Sequence, residues 1–481
     1  MITVTNTLSG RKEEFQPISD VVRMYVCGLT PKNDPHLGHA RLFIANDIIR
    51  RYLEYRGYPV KYVQNFTDID DKIILAGQRE NIPPAEAARR YMTGYFQVMD
   101  ALGVRRADEF TYVTEYIPQI IAFIQGLIDK GHAYALEAAA DNDVYFATDT
   151  FPGYGKLSKR NEDATMAGAR IAADERKRDL RDFALWKAAK PGEPWWESPW
   201  GHGRPGWHIE CSTMSMAVLG EQIDIHGGGS DLIFPHHENE IAQSEALSGK
   251  DPFAKYWLHT GLLQLGADKM AHSGDFITIR SVLATTPAPA LRMYLLAQSY
   301  RTQFTYFPAQ LALFTARWRR WCDAVQAAKV LGTVGTAPPQ QYQTATLEQI
   351  RNEFIAAMDD DFNTSGAVAT IDAAIKRLNE TVAKTKGAPT DQQKIILQEG
   401  ITLIEELTTT LGITLDLSLD IQRAIDDEAR NAIEKLLQQR AELRAAKQWQ
   451  ESDRLRDEIE GTYGVNIQDT PNGAVWQIRQ K

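Results

Sequence analysis

The sequence predicts an α/β protein built on a parallel sheet, with an insertion inside it and a long helical region after it. Three observations carry this. Apolar strand-like runs near the start and the middle each end in a polar or glycine-rich loop, as strands do when ligands sit at their carboxyl ends. A helix-period pattern follows the first run. From about Thr315 onward nearly everything reads as helix.

Taken in order, "VVRMYVCGLT" is a strand that stops at a turn. "HARLFIANDIIRRYLEYRG" spaces its apolar residues for a helix closed by glycine, its start expected near Ala40. "PVKYVQNFTDIDD" supplies a second strand and "QIDIHGGGSDLIF" another. Between about Asp108 and Gly206 the chain breaks into short pieces rich in charge, proline and tryptophan, including "KPGEPWWESPWGHGRPGW", which reads as an insertion into the sheet unit. In the helical region "TVGTAPPQQ" and "TKGAPTDQQ" are interhelix loops. The closing "TYGVNIQDTPNGAVWQIRQK" turns to short strands around "PNG".

A chain of 481 residues with 43% hydrophobic content buries a sizeable core, spread over roughly three or four units at ~100–200 residues each. No run approaches the ~20 apolar residues that span a bilayer. The opening "MITVTNTLSGRKEEF" lacks a signal segment, so no membrane association and a cytoplasmic location are expected. Cys27, Cys211 and Cys322 are few and far apart, which argues against a disulfide framework and for reduced thiols or metal ligation. The formal charge of -10 gives no hint of a nucleic-acid partner, although an acidic chain can carry a local basic groove.

Two sets of residues could carry chemistry. "HHENE" spaces His236 and Glu240 four apart, on one face of a helix, where an imidazole and a carboxylate can converge on one ion. Cys27 at a strand end and Cys211 in "HIECS" could complete a tetrahedral zinc site; as readily, both cysteines are small core residues and the histidines polar surface. His237 points elsewhere on that helix and is expected to support the ligands from behind or to be structural, and Cys322 in "RWRRWCDAV" to be a core residue. His36 and His39 flank Gly38 ahead of the first helix, where side-chain donors and helix amides can converge on phosphate, or where the histidines merely cap the helix. "HGGGSD" is a tight turn at a strand end, and "TDIDDK" is either a solvated acidic loop or, through Thr67, Asp68 and Asp70, a wall of the site.

"PHLGH" with "KMAHS" resembles the paired HIGH and KMSKS elements of class I aminoacyl-tRNA synthetases. "MYVCGLT", "PHLGHAR", "NFTDIDDKII", "GRPGWHIECSTM", "IHGGGSDLIFPHHENEIAQSEA", "AAMDDDFNT" and the tail "DTPNGAVW" together resemble the cysteinyl members of that class over nearly the whole chain. The resemblance implies a Rossmann-type catalytic domain over 1–107 and 207–250 with a connective insertion at 108–206. It further implies a KMSKS-like stem-contact region at 251–315, a tRNA-binding helical bundle at 316–420 and an anticodon-binding tail at 421–481.

Its chemical implications are equally specific. One zinc per chain is held by Cys27, Cys211, His236 and Glu240 and selects a substrate thiolate over a hydroxyl. Gly38, Gly228, Asp231 and Lys269 contact ATP, which arrives with Mg2+; His36, His39, Lys269 and His272 act on its phosphates. Thr30 and Trp207 line the pocket for L-cysteine, and Arg444, Trp449, Asp453 and Asp469 meet anticodon bases of tRNA(Cys). A monomer is expected. The activity implied is cysteine–tRNA ligation, set against two alternatives: a mycothiol-type cysteine:amine ligase, which has no anticodon tail, and a catalytically weak cysteine- or tRNA-binding regulator.

Two departures bear on catalysis. Family members read KMSKS followed by LGNF, whereas "DKMAHSGDF" keeps Lys269, Met270 and Ser273 but carries Ala271 and His272 and is one residue shorter to Phe276. A histidine can still donate to phosphate and is drawn toward its charged form beside a polyanion, so phosphate chemistry is expected in altered form. In "TPKND", Lys32 and Asn33 stand where the family has tyrosine and aspartate. Lys32 is then a surface lysine or a cation at the mouth of the site.

Overall fold

Val22–Leu29 is apolar at most positions and nearly all buried, the pattern of a strand covered on both faces. In this computed structural model, which describes residues 1–136, 143–159, 176–265, 277–331, 338–420, 427–446, 448–463, 465–470 and 473–478, it is the middle strand of a parallel sheet. The order across the sheet is Ala254–Thr260, Ile223–Gly229, Val22–Leu29, Val60–Phe66 and Glu109–Tyr112. The chain leaves the middle strand to one side and later returns on the other. A crevice therefore opens where Val22–Leu29 and Ile223–Gly229 end, the switch point at which α/β sheets bind ligands.

The sheet extends past the stretches 1–107 and 207–250 from which its strands were expected, because Glu109–Tyr112 and Ala254–Thr260 form its two edges. The first is too short to show a period, and the second starts just after "KDP", which reads as a boundary. The first helix spans Leu37–Tyr55 and so begins three residues earlier than Ala40. His36, in extended backbone, is its N-cap, and the Leu37 amide donates to the Ile277 carbonyl at 3.1 Å, satisfying one orphan amide of the first turn from outside the helix.

The inserted region forms a four-stranded antiparallel sheet from Ala133–Ala135, Val144–Phe146, Phe183–Ala188 and Gly203–Pro205. It feeds directly into helix Trp207–Leu219, whose Ile209 and Met214 share a core with Trp186 of the insertion and Val63 of the main sheet. The helices Pro308–Val330, Ala345–Asp359, Thr364–Lys384 and Asp391–Thr410 bury Trp318, Trp321, Phe354, Leu378 and Ile404 in one core continuous with Ile44 and Leu53 of the first helix. Cys322 lies in that core, as its helical setting predicted. The tail, helices Asp427–Ala445 and Trp449–Tyr463 and the hairpin Val465–Thr470 with Gly473–Ile478, closes around Ile433, Ile459, Val465 and Ile467. No helix among the described residues is long and apolar enough to cross a membrane.

Two polar junctions tie the helical region to the sheet unit. In "MDDDFNT" the carboxylates serve the fold: Asp359 accepts from the Tyr52 hydroxyl at 2.6 Å and from Arg56, Asp360 pairs with Lys12, and Asp361 accepts from the Thr5 amide at 2.8 Å. At the second junction the central pair, Asp47 and Arg292, is buried. Asp47 on the first helix pairs with Arg292 and with Arg51, the latter at 2.8 Å, and Arg292 also donates to the carbonyls of Leu411 at 2.7 Å and Leu102 at 3.1 Å. Gly412 completes it: its φ of 63° favours glycine, and a Cβ there would meet Arg292 Nη2 at 2.4 Å.

Candidate active site and metal centre

Three elements bring the cysteines, a histidine and a glutamate together. Cys27 comes from the middle strand, Cys211 from helix Trp207–Leu219, and Glu240 from helix Glu238–Ser248. His236 sits in the helical turn Ile233–His237 that runs directly into that helix, so it faces Glu240 four positions on, as the spacing predicted; the extended Phe234 breaks the helix before it. The four ligand atoms nevertheless all lie within 4.8 Å of one another, and all four residues are buried. Cys27 Sγ is 3.5 Å from Cys211 Sγ and 3.4 Å from Glu240 Oε1, and His236 Nε2 is 3.1 Å from the same carboxylate oxygen. Such a cluster can hold a metal ion.

The charges inside the cluster are arranged to favour anions. Burial opposes ionisation of Cys211, but the hydrogen bond from Cys27 and the neighbouring His236 bring its thiol down to about 6. Burial and the Cys211 sulfur push Cys27 well up, so the pair shares one proton. His236 is pushed up to about 10 against its burial by Glu240 and Cys211, and Glu240 is held well below the usual carboxylate range, again against burial, by His226 and His236.

Around the cluster stands a set of histidines, of which the sequence singled out only His237. His226 Nε2 lies 2.9 Å from Glu240 Oε2 and stacks on Trp257 at 4.3 Å; with Cys27, His237 and Glu240 it forms a second group of the same compactness. His208 Nδ1 is 3.0 Å from His236 Nδ1, fixing that ring through its far nitrogen. His237 bonds His259 at 2.8 Å, and His259 in turn reaches the Thr7 hydroxyl at 2.8 Å. His237 thus stands behind the four ligands, held by His259. It also explains Gly228, where a Cβ would stand 2.5 Å from the His237 ring. A lone histidine inside an apolar strand such as "QIDIHGGG" was the available signal for His226.

Beside the cluster, at the switch point of the sheet, lies a cleft of about 760 Å³. Thr30, His36, Gly38, His39, Trp207 and Asp231 all line it; Gly228 is buried one residue behind the lining Gly229. The Trp207 ring is 4.4 Å from the His236 ring, so this residue joins the cleft to the metal-ligand cluster. His36 and His39 stack at 3.7 Å, and the His36 amide donates to His39 Nδ1 at 3.2 Å. Burial, with the charge of Lys32, lowers His36, and burial, with His36 next to it, brings His39 down to about 3. Both rings are therefore neutral donors. Lys32 is no surface lysine: it is half-buried and lines the cleft. Thr67 donates to Glu210 at 3.1 Å beside Cys211, Asp68 holds Thr114, and Asp70 caps helix Asp71–Glu80; none of the three lines the cleft, which this segment reaches through Lys72.

Lys269 and His272 lie outside the described residues; Leu263 before that loop and Thr278 after it both line the cleft. In the tail, Arg444 Cζ is 5.7 Å from the Trp449 ring, Trp449 is 55% exposed, and Asp453 is exposed one turn further along the same helix. Asp469 lies in the strand Val465–Thr470.

The catalytic-domain family "tRNA synthetases class I (C)" matches residues 14–315, and the DALR domain family matches 353–416. A cysteine–tRNA ligase of Dehalococcoides mccartyi is 47% identical over 481 residues, covering 99% of this chain and 100% of that protein. One from Thermodesulfovibrio yellowstonii is 42% identical, covering 99% of each. Among solved structures, Mycobacterium tuberculosis methionyl-tRNA synthetase in complex with methionyl-adenylate shares the fold, with a TM-score of 0.60 at 14% identity over 87% of this chain and 94% of that one. Matched end to end at this identity, with the class I catalytic domain spanning most of its length, the chain belongs to the cysteine–tRNA ligase family of class I aminoacyl-tRNA synthetases.

Proposed function

We propose that the chain activates L-cysteine with ATP and transfers it to tRNA(Cys). The observation that carries this reading is the joining, through Trp207, of a nucleotide-sized cleft to a buried thiol, imidazole and carboxylate cluster. Cys27, Cys211, His236 and Glu240 would hold one zinc. Bond lengths of ~2.0–2.3 Å in a tetrahedral zinc site put ligand atoms roughly 3.3–3.8 Å apart, close to the separations among these four. When bound, zinc supplies a thiophilic Lewis acid that gains more from a thiolate than from a hydroxyl. The protein's own part is to present it: Glu240 and the Cys211 sulfur are anionic before a cation arrives, and His208 orients His236.

In the first step a cysteine carboxylate oxygen attacks the α-phosphorus of Mg-ATP, the bond to the bridging oxygen breaks, and pyrophosphate leaves. His36 and His39, as neutral donors, and the amides of the first helical turn hydrogen-bond the phosphates, while Thr30 and Trp207 confine the amino acid. Asp231 accepts from the ribose hydroxyls, and Gly38 and Gly228 admit the adenosine. Lys269 and His272 face the departing pyrophosphate. In the second step a terminal ribose hydroxyl of the tRNA attacks the adenylate carbonyl and AMP leaves. The bundle at 316–420 and the tail at 421–481 hold the tRNA, with Arg444, Trp449, Asp453 and Asp469 at the anticodon. The enzyme acts as a monomer in the cytoplasm.

Charging of tRNA(Cys) tests this reading: labelled cysteine is expected on the 3′ end in an ATP-dependent reaction. Activation of cysteine with transfer to an amino sugar but not to tRNA contradicts it, as does binding of tRNA without charging. Trp449→Ala should raise the KM for tRNA and leave cysteine-dependent pyrophosphate exchange unchanged, since base stacking contributes ~1–3 kcal/mol far from the chemistry. Equal loss in both assays would assign the ring to the fold. His272→Ala should lower the kcat of exchange more than it alters the KM for ATP, the mark of an interaction made mainly in the transition state. An unchanged kcat would remove His272 from the phosphates.

A further inference from the structure

Resting on the synthetase reading, we propose that Lys32 is a phosphate-binding residue that holds the polyphosphate of ATP from the described wall of the cleft. The cleft lining contains two histidines and two lysines, Lys32 and Lys72. The histidines are neutral, as their burial dictates, and give hydrogen bonds without charge. Positive charge on this wall therefore comes from the lysines. Lys72 is exposed and sits 5.5 Å from the centre of the Trp207 ring, on the amino-acid side. Lys32 is half-buried on the loop that joins the middle strand to the first helix, near enough to His36 and His39 for its charge to be felt by both. Its ammonium thus stands beside the helix N-terminus and the donors that suit a phosphate.

Among the described residues Lys32 bonds only through its backbone, donating from its amide to the Thr30 carbonyl at 2.9 Å and accepting from Arg79 at 3.5 Å. A half-buried ammonium with no carboxylate in salt-bridge contact among the described residues, close enough to a second lysine to feel its charge, is costly unless an anion joins it. Burial and the charge of Lys72 do lower Lys32 from its ordinary value, with Asp70 pulling the other way. A polyphosphate beside Lys32 offsets the desolvation cost and screens the repulsion from Lys72. The placement also answers the loop "DKMAHSGDF", in which His272 stands where the family has a second lysine. A cation missing from that loop is then supplied by Lys32.

The test titrates a non-hydrolysable ATP analogue, and separately adenosine, into the full chain and its Lys32→Gln and Lys32→Arg variants by calorimetry. Charge-assisted hydrogen bonds of this kind should make Lys32→Gln weaken the analogue about 10- to 100-fold while adenosine affinity is kept, with Lys32→Arg keeping most of the analogue affinity. Unchanged analogue binding in Lys32→Gln overturns the assignment, as does an equal loss for adenosine, which would make the residue a shaper of the nucleoside pocket. A variant altered only in its KM for tRNA also overturns it and assigns the lysine to a nucleic-acid phosphate. If the analogue pattern holds but the unaltered protein shows no cysteine-dependent pyrophosphate exchange, the lysine assignment stands and the synthetase reading falls.

Discussion

Replacing Cys211 with serine is expected to empty the metal-ligand cluster and to abolish most cysteine activation. The sulfur lies 3.5 Å from Cys27 Sγ in a buried set of four donors, and no other thiol among the described residues is within reach, Cys322 being in the helical core. A hydroxyl is a poor substitute because it does not ionise near neutral pH, whereas this thiol is brought down to about 6 by Cys27 and His236 against its burial. Loss of an outer partner of a metal ligand typically costs ~10–100-fold in affinity or activity, so loss of the ligand should exceed ~100-fold. Metal analysis should fall from one zinc per chain toward none. Cys322→Ser, by contrast, should keep its zinc. Unchanged zinc content in Cys211→Ser would remove the residue from the ligand set.

The second large effect is on stability. Asp47→Ala should destabilise the protein by about 3–5 kcal/mol, because it leaves the fully buried Arg292 guanidinium without its counter-charge. Asp47→Ala with Arg292→Met should lose less than the single change, since no unpaired charge is then left inside. Midpoints of urea unfolding check both. The pair also sets an acid limit. Despite its burial, Asp47 is held below the usual carboxylate value by Arg292 and Arg51. Its contribution is therefore complete above the ordinary carboxylate range and is lost as the pH falls through the depressed value, so Asp47→Ala should flatten that part of the stability profile. An unfolding free energy within ~1 kcal/mol of the unaltered protein would show that the ion pair serves specificity alone.

What the sequence disclosed, and what it withheld, follows from the range of the forces involved. Val22–Leu29 was legible because a doubly covered strand is mostly apolar, and Ile223–Gly229 because its alternating isoleucines end in a glycine-rich loop. Glu109–Tyr112 was not, since its place at the sheet edge depends on pairing with Val60–Phe66 and leaves almost no pattern in four residues. The approach of Cys27 to Cys211 across 184 positions is a product of topology, and only the resemblance pointed to it. His226 and His259 went unnoticed because a lone histidine in a strand is only a faint signal and says nothing of its partners, which arrive from other elements. The aspartates of "MDDDFNT" illustrate the converse. A run of charge that reads as a binding surface is taken up largely by Tyr52, Lys12 and Thr5.

Amino-acid-dependent ATP–pyrophosphate exchange, run with cysteine and serine side by side on zinc-loaded protein, tests the central claim most directly. A cleft joined to a thiophilic cluster should activate cysteine and reject serine by about 10⁴-fold or more, the range reached when a site is built around one specific polar contact. Exchange that is equal for the two amino acids, or absent for both, would contradict it.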